Sequence, residues 1–142
     1  MNDRSFIDTN IFIYASGHHG EPQARVAQGL VEGLIEKQTG VISYQVIQEF
    51  LNVALKKFAV PMSLEQAQNH LVNVFRSMFI VHSSLALYHD ALEIFKRYKL
   101  SWYDSLLIAA AAEAGCSILY TEDMQHGAVI RGVKIVNPFL TN

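Results

Sequence analysis

Short apolar runs alternate with longer stretches of helical periodicity along this chain, and that alternation constrains its fold more than any other feature. Ser5-Phe6-Ile7 reads as a strand, and Asp8-Thr9-Asn10 supplies cap-type residues before a short helix, Ile11 to Ala15. Gly17 to Pro22 reads as a loop. Gln23 to Lys37 has helical spacing, with Val26, Leu30, Leu34 and Ile35 on one side. Gly40 ends that helix ahead of a strand at Val41-Ile42. Ser43 to Lys57 is a further helix whose apolar side is Val46, Ile47, Phe50, Leu51 and Ala54. Ser63 and Gln66 are spaced for a capping box, and the helix from Leu64 runs to about Met78. Phe79 to His82 is a strand, Leu85 to Tyr98 a helix, and Trp102 to Ala114 another, stopped by Gly115. Ser117 to Tyr120 and Lys134 to Val136 complete the strands, with Pro138 as the final stop. Strands separated by helices dictate an α/β fold, with a mainly parallel sheet covered on both faces.

The 142 residues fit one domain over 1–142, and 51% hydrophobic against 17% charged residues affords it a packed core. No apolar run approaches the roughly 20 residues that span a bilayer. Met1-Asn2-Asp3-Arg4 does not open a secretory signal. The single cysteine, Cys116, has small apolar neighbours and reads as a buried thiol, neither disulfide nor nucleophile. These features point to a cytoplasmic protein with no membrane association. A net charge of −2 does not suit a protein that coats nucleic acid, but it leaves room for an enzyme that handles RNA locally through a metal ion. The basic groups Lys56-Lys57 and Lys96-Arg97-Tyr98-Lys99 match solvated helix faces equally well.

In parallel sheets, ligands bind beyond the carboxyl ends of the strands. Asp8 directly follows the first strand, and Asp123 closely follows Ser117–Tyr120, within Thr121-Glu122-Asp123. Turn and cap roles account for either acid alone; two at one sheet edge point further. Asp104 shares a helix face with Leu107, Ile108 and Ala111, in a helix apolar nearly all round and so destined for burial. Its first-turn position near the positive end of the helix dipole favours the ionised form. Ser101 and Asp104 also have the spacing of a local cap. Glu49 shares its face with Gln45, Asn52 and Lys56, the pattern of a solvated surface, and periodicity does not select it. Carboxylates that converge without lysine or arginine repel one another, and a divalent cation removes the conflict. Hard oxygen donors suit Mg²⁺ or Mn²⁺, and no His/Cys set has zinc spacing. His18-His19, in a Gly-flanked loop, reads as a solvated pair or an RNA contact; His126 lies on the surface or lines the site.

At this point the chain resembles a PIN domain, and especially a VapC-type toxin ribonuclease. The matching pieces, in order, are Phe6-Ile7-Asp8-Thr9-Asn10, Ile47-Gln48-Glu49-Phe50, Ser101-Trp102-Tyr103-Asp104-Ser105-Leu106 and Leu119-Tyr120-Thr121-Glu122-Asp123-Met124-Gln125-His126-Gly127. The resemblance implies an α/β/α sandwich and Mg²⁺- or Mn²⁺-dependent cleavage of RNA. It implies an acidic site of Asp8, Glu49, Asp104 and Asp123. Asp8 and Asp104 would be the principal ligands, with Glu49 and Asp123 binding through water or holding a second ion. Asn10, Thr121 and Ser105 match polar positions that orient the acids. The resemblance also implies a homodimer and a small antitoxin protein as partners. Apolar surface near Phe50, Phe58 and Phe75 would serve a partner, unless those rings are core.

Three other readings compete. Asp8-Thr9-Asn10 resembles the Asp-x-Asp of aspartate-nucleophile phosphatases, but Asn10 stands where the general acid belongs. A receiver domain would need paired early acids and a late lysine with no clear counterpart here. A PIN-like module that binds RNA or protein without cutting is the other class, and a metal titration with an RNA cleavage assay separates it from an enzyme.

Overall fold

The computed structural model describes residues 3–17 and 21–140, so His18-His19 lies outside the described residues. The elements run β1 (Ser5–Ile7), α1 (Thr9–Ala15), α2 (Glu21–Lys37), β2 (Gly40–Ser43), α3 (Tyr44–Lys56), α4 (Leu64–His70), β3 (Phe79–Val81), α5 (Leu85–Tyr98), α6 (Trp102–Glu113), β4 (Ile118–Tyr120), β5 (Val129–Ile130) and β6 (Val133–Val136). The strands form one sheet in the order β3-β2-β1-β4-β6-β5. All pairings are parallel except β5 with β6, so the expected mainly parallel sheet is what the chain builds. Helices flank the sheet in an α/β/α arrangement.

The strand order decides where a crevice can form. The chain moves outward from β1 to β2 and β3, then returns to the other side of β1 as β4 and continues to β6. The direction of winding therefore reverses between β1 and β4. At such a point the connections leave in opposite directions, and a crevice opens beyond the carboxyl ends of the two strands. β1 is buried along its length, as a central parallel strand must be. Its pairing with β4 sets Phe6 beside Leu119 and Ile7 beside Tyr120. One step further, the Asp8 N–H donates to the Tyr120 carbonyl at 3.0 Å.

Most element assignments stand, with three adjustments. The buried side of α2 is Ala24, Ala27, Val31 and Leu34, whereas Val26 is exposed. The alanines let α2 lie close against α1, so contact distance rather than side-chain hydrophobicity chose the face. The helix from Leu64 changes character at His70: Leu71–Phe75 forms a π turn, closed by a bond from the Arg76 N–H to the Leu71 carbonyl at 2.9 Å. The Ser63–Gln66 capping box is present in both directions. Finally, β5 is a strand that the apolar pattern does not announce. It pairs with β6 through a turn at Arg131-Gly132, both at positive φ (53° and 78°), the geometry of a tight two-residue hairpin.

Phe50, Phe58 and Phe75 are core rather than partner surface, at 0%, 6% and 1% exposure. Phe75 meets Phe12 and Phe50 edge-on, with centroids 4.9 and 5.3 Å apart. α6 is buried from Ser105 through Ala111 and packs on α5, β2, β4 and β6, as its all-round apolar sequence requires. Cys116 is buried, and burial pushes its thiol up to about 12, which leaves it unreactive. Among the described residues, no helix is long and apolar enough to cross a membrane.

Candidate metal centre

Asp8 is the innermost acid. It caps α1 from the end of β1 and is only 4% exposed. Its Oδ1 accepts from the Thr9 N–H at 2.6 Å, and its Oδ2 accepts from the Thr121 hydroxyl at 2.8 Å. Burial pushes its carboxyl up to about 7, against the lowering effect of those two hydrogen bonds; the charges of Asp123 and Glu49 add to the rise.

Thr121 is fully buried and joins two of the acids. Its hydroxyl donates to Asp8 and accepts from the Asp123 N–H at 3.1 Å, which fixes the turn after β4. Asn10 Nδ2 donates to Asp123 Oδ2 at 3.0 Å, so the first turn of α1 reaches the same loop. Tyr14, one helical turn on, donates its hydroxyl to Glu122 Oε1 at 2.8 Å. That bond pushes the phenol up to about 12. Asn10 and Thr121 thus touch the acids as expected. Ser105 does not: its hydroxyl donates back to the Ser101 carbonyl at 2.9 Å, a bond within its own helix.

Glu49 comes from α3 and Asp104 from the first turn of α6. Glu49 Oε1 accepts from the Thr9 hydroxyl at 3.2 Å and from Gln45 Nε2 at 3.3 Å. Ser101 caps α6 by accepting from the Asp104 N–H at 3.1 Å. The Asp104 carboxylate also interacts with the Ser101 side chain, which lowers its pKa against the rise from burial. Burial raises the pKa of Glu49, Asp104 and Asp123 alike. Beyond burial, Glu49 feels the charges of Asp104 and Asp123, and Asp123 feels those of Glu122 and Asp104. Asp8 is coupled to Glu49 and Asp123, and Asp104 to the same two acids, so each of the four lies within electrostatic reach of at least two others. Among the described residues, no lysine or arginine forms an ion pair with any of them.

The donor set fits a hard divalent cation. It consists of carboxylates around a buried Asp8, with a proton affinity that marks an uncompensated negative site. No three of these acids bring ligand atoms within 4.8 Å of one another; among the described residues that spacing occurs at His89, Asp90 and Glu93 on the outer face of α5, where Arg131 already lies 3.6 Å from Glu93. A wider ring suits Mg²⁺, which keeps several waters and takes one or two carboxylates directly. Asp8 and Asp104 are the candidates for direct ligands, with Glu49 and Asp123 at the rim. His126 is exposed and accepts from the Asn137 N–H at 3.0 Å through Nδ1, which ties the loop after β4 to the segment after β6.

Sequence reasoning does not single out Gln45, Tyr14 or Glu122. The Gln45–Glu49 spacing of four residues is visible, but it signals a solvated helix face equally well.

A PIN domain family model matches residues 5–130. No curated protein sequence matches. Among solved structures, the chain is similar to a toxin–antitoxin complex from Klebsiella pneumoniae, with 24% identity and a TM-score of 0.70 over 94% of this chain and 97% of that one. It is similar to VapC20 of Mycobacterium tuberculosis, a toxin that cleaves the sarcin-ricin loop, at 16% identity and a TM-score of 0.61, covering 84% and 91%. A third is VapBC2 from Rickettsia felis bound to a DNA fragment from its promoter, at 20% identity and a TM-score of 0.63, covering 92% and 96%. At these identities the likeness establishes a shared fold.

Proposed function

The chain belongs to the PIN domain family, and on that footing we propose that it is a divalent-metal-dependent endoribonuclease whose site is formed by Asp8, Glu49, Asp104 and Asp123. The observation that carries this reading is the convergence of four carboxylates, from β1, α3, α6 and the loop after β4, with no cationic partner among the described residues.

A bound Mg²⁺ or Mn²⁺ supplies the positive charge that the cleft lacks, and Lewis acidity toward water and phosphate. Asp8 and Asp104 would hold it. Thr121 and the Thr9 N–H fix the Asp8 carboxylate, so it enters the reaction already oriented. Glu49, whose pKa burial raises, is suited to accept the proton of the water that attacks phosphorus. Asp123 sits on the exposed rim, held by Asn10, where it can orient water. The leaving ribose oxygen departs in line with the attacking water and takes a proton from solvent.

The phosphatase reading is disfavoured at Asn10: an amide stands where the general acid belongs, and it is bound to Asp123. In the biological setting, the enzyme would be the toxin of a toxin–antitoxin pair. It would act in the cytoplasm as a homodimer, with a small antitoxin protein restraining it. The structural relatives solved as such complexes support this role. The test is Asp8→Asn and Asp104→Asn assayed on structured RNA with Mg²⁺ or Mn²⁺. Each variant is expected to lose roughly a hundredfold or more in cleavage rate. Full metal-dependent activity in either one sinks the assignment.

A further inference from the structure

Gln45 is the second residue of α3 and is 4% exposed. Its amide Nε2 donates to Glu49 Oε1 at 3.3 Å and to the Tyr103 carbonyl at 3.4 Å. Both partners are acceptors only, so the amide has one workable orientation: turned over, its oxygen would face a carboxylate and a carbonyl. That orientation leaves Gln45 Oε1 buried without a donor. An unmet buried acceptor lowers stability, so folding alone does not account for a glutamine here.

The two contacts have a geometric consequence. Thr9 and Gln45 both donate to Glu49 Oε1, from α1 and from within α3, while no hydrogen bond reaches Oε2 among the described residues. The carboxylate is thereby turned with one oxygen held and the other free. The bond to the Tyr103 carbonyl fastens α3 to the first turn of α6, one residue before Asp104. Both bonds are long, which makes their contribution directional more than energetic.

We propose that Gln45 is a positioning residue for the cation site, fixing Glu49 and setting the separation between Glu49 and Asp104. The inference rests on the cation reading of the cleft. Through the Tyr103 carbonyl Gln45 bears on Asp104, a candidate direct ligand, and groups that orient metal ligands typically change metal affinity by about 10- to 100-fold when removed.

The test is Gln45→Met, which keeps the side-chain volume and removes both the donor and the orphaned acceptor. Mn²⁺ binding to RNA-free protein is measured by calorimetry, and the melting temperature is measured in chelator. The variant is expected to melt at or above the wild-type temperature and to bind Mn²⁺ about tenfold more weakly. In cleavage assays, the Mn²⁺ concentration for half-maximal rate should rise by a similar factor, with KM for RNA unchanged. Gln45→Leu is the second variant, with the same expectation. Wild-type Mn²⁺ affinity in both variants overturns the proposal and leaves the cation reading intact. A melting temperature lowered in both, alongside lost affinity, assigns Gln45 a structural role and overturns it too. Wild-type protein that binds no Mn²⁺ overturns the cation reading and this inference together.

Discussion

Asp8 concentrates the physics of the site in one side chain. In the unfolded chain its carboxyl would titrate near the ordinary value of about 3.9. In the fold, burial raises it to about 7. The folded state therefore binds a proton more tightly across that interval, and the sign follows: the stability Asp8 contributes is fully present below about pH 4 and is lost as pH rises toward 7. Metal-free protein should accordingly melt at a lower temperature at about pH 8 than at about pH 5 on this residue's account. Asp8→Asn, which mimics the protonated acid, should raise the melting temperature in chelator at about pH 8 by several degrees, with the difference closing near about pH 4. A thermal-denaturation series over that range checks it. If the Asp8→Asn variant were instead less stable than wild type at the alkaline end, the two hydrogen bonds would outweigh burial. The same substitution is expected to abolish cleavage, so one residue would trade stability against activity.

At the scale of elements, the site depends on how closely they approach. β2 begins at Gly40, where an added Cβ would lie 2.9 Å from Met78 Sδ and 3.2 Å from Leu34 Cβ. Met78 Sδ lies toward the end of a flexible side chain and must shift within the core, whereas Leu34 Cβ is tied to the α2 backbone. Gly40→Ala should cost about 1–3 kcal/mol, as overpacking does, measured by urea denaturation. An unchanged midpoint would mean that β2 shifts freely. Two local features escape the periodicity. The π turn at Leu71–Phe75 redirects Phe75 onto Phe12 and Phe50; the sequence 64–78 carries only a helical pattern, because the extra residue in the turn is set by what the ring must reach. β5 is two residues long and joined by Arg131-Gly132, which lacks the Asn-Gly or Asp-Gly that announces such a hairpin.

For the whole molecule, the carboxylates come from segments that only the complete fold brings together, so cation binding and global stability should be linked. A ligand at about a hundred times its Kd adds about 2.7 kcal/mol to a protein it binds only when folded. For a chain of this size, that is about 10 °C in melting temperature. Saturating Mn²⁺ should raise the wild-type melting temperature by that order at mildly alkaline pH, and Asp8→Asn should lose most of the effect. A rise equal in both would locate the cation elsewhere.

The sequence alone determined the alternation of strands and helices, and hence a parallel sheet with its working edge at the strand ends. It also placed Asp8 and Asp123 there, because each directly follows or closely follows a strand. Local chemistry sufficed for these, as it did for the Ser63 capping box and the burial of α6. Only the tertiary structure decided which polar residues face the cleft. Gln45 and Glu49 lie on a helix face that reads as solvated, yet the packing buries Gln45 and half-buries Glu49, and Gln45 meets the Tyr103 carbonyl of α6 across a gap of 58 residues. Ser105 reads as an accessory to the acids, yet its hydroxyl turns back onto its own helix. A polar side chain has the same sequence pattern whether water or another element satisfies it, and only the packing of the elements says which.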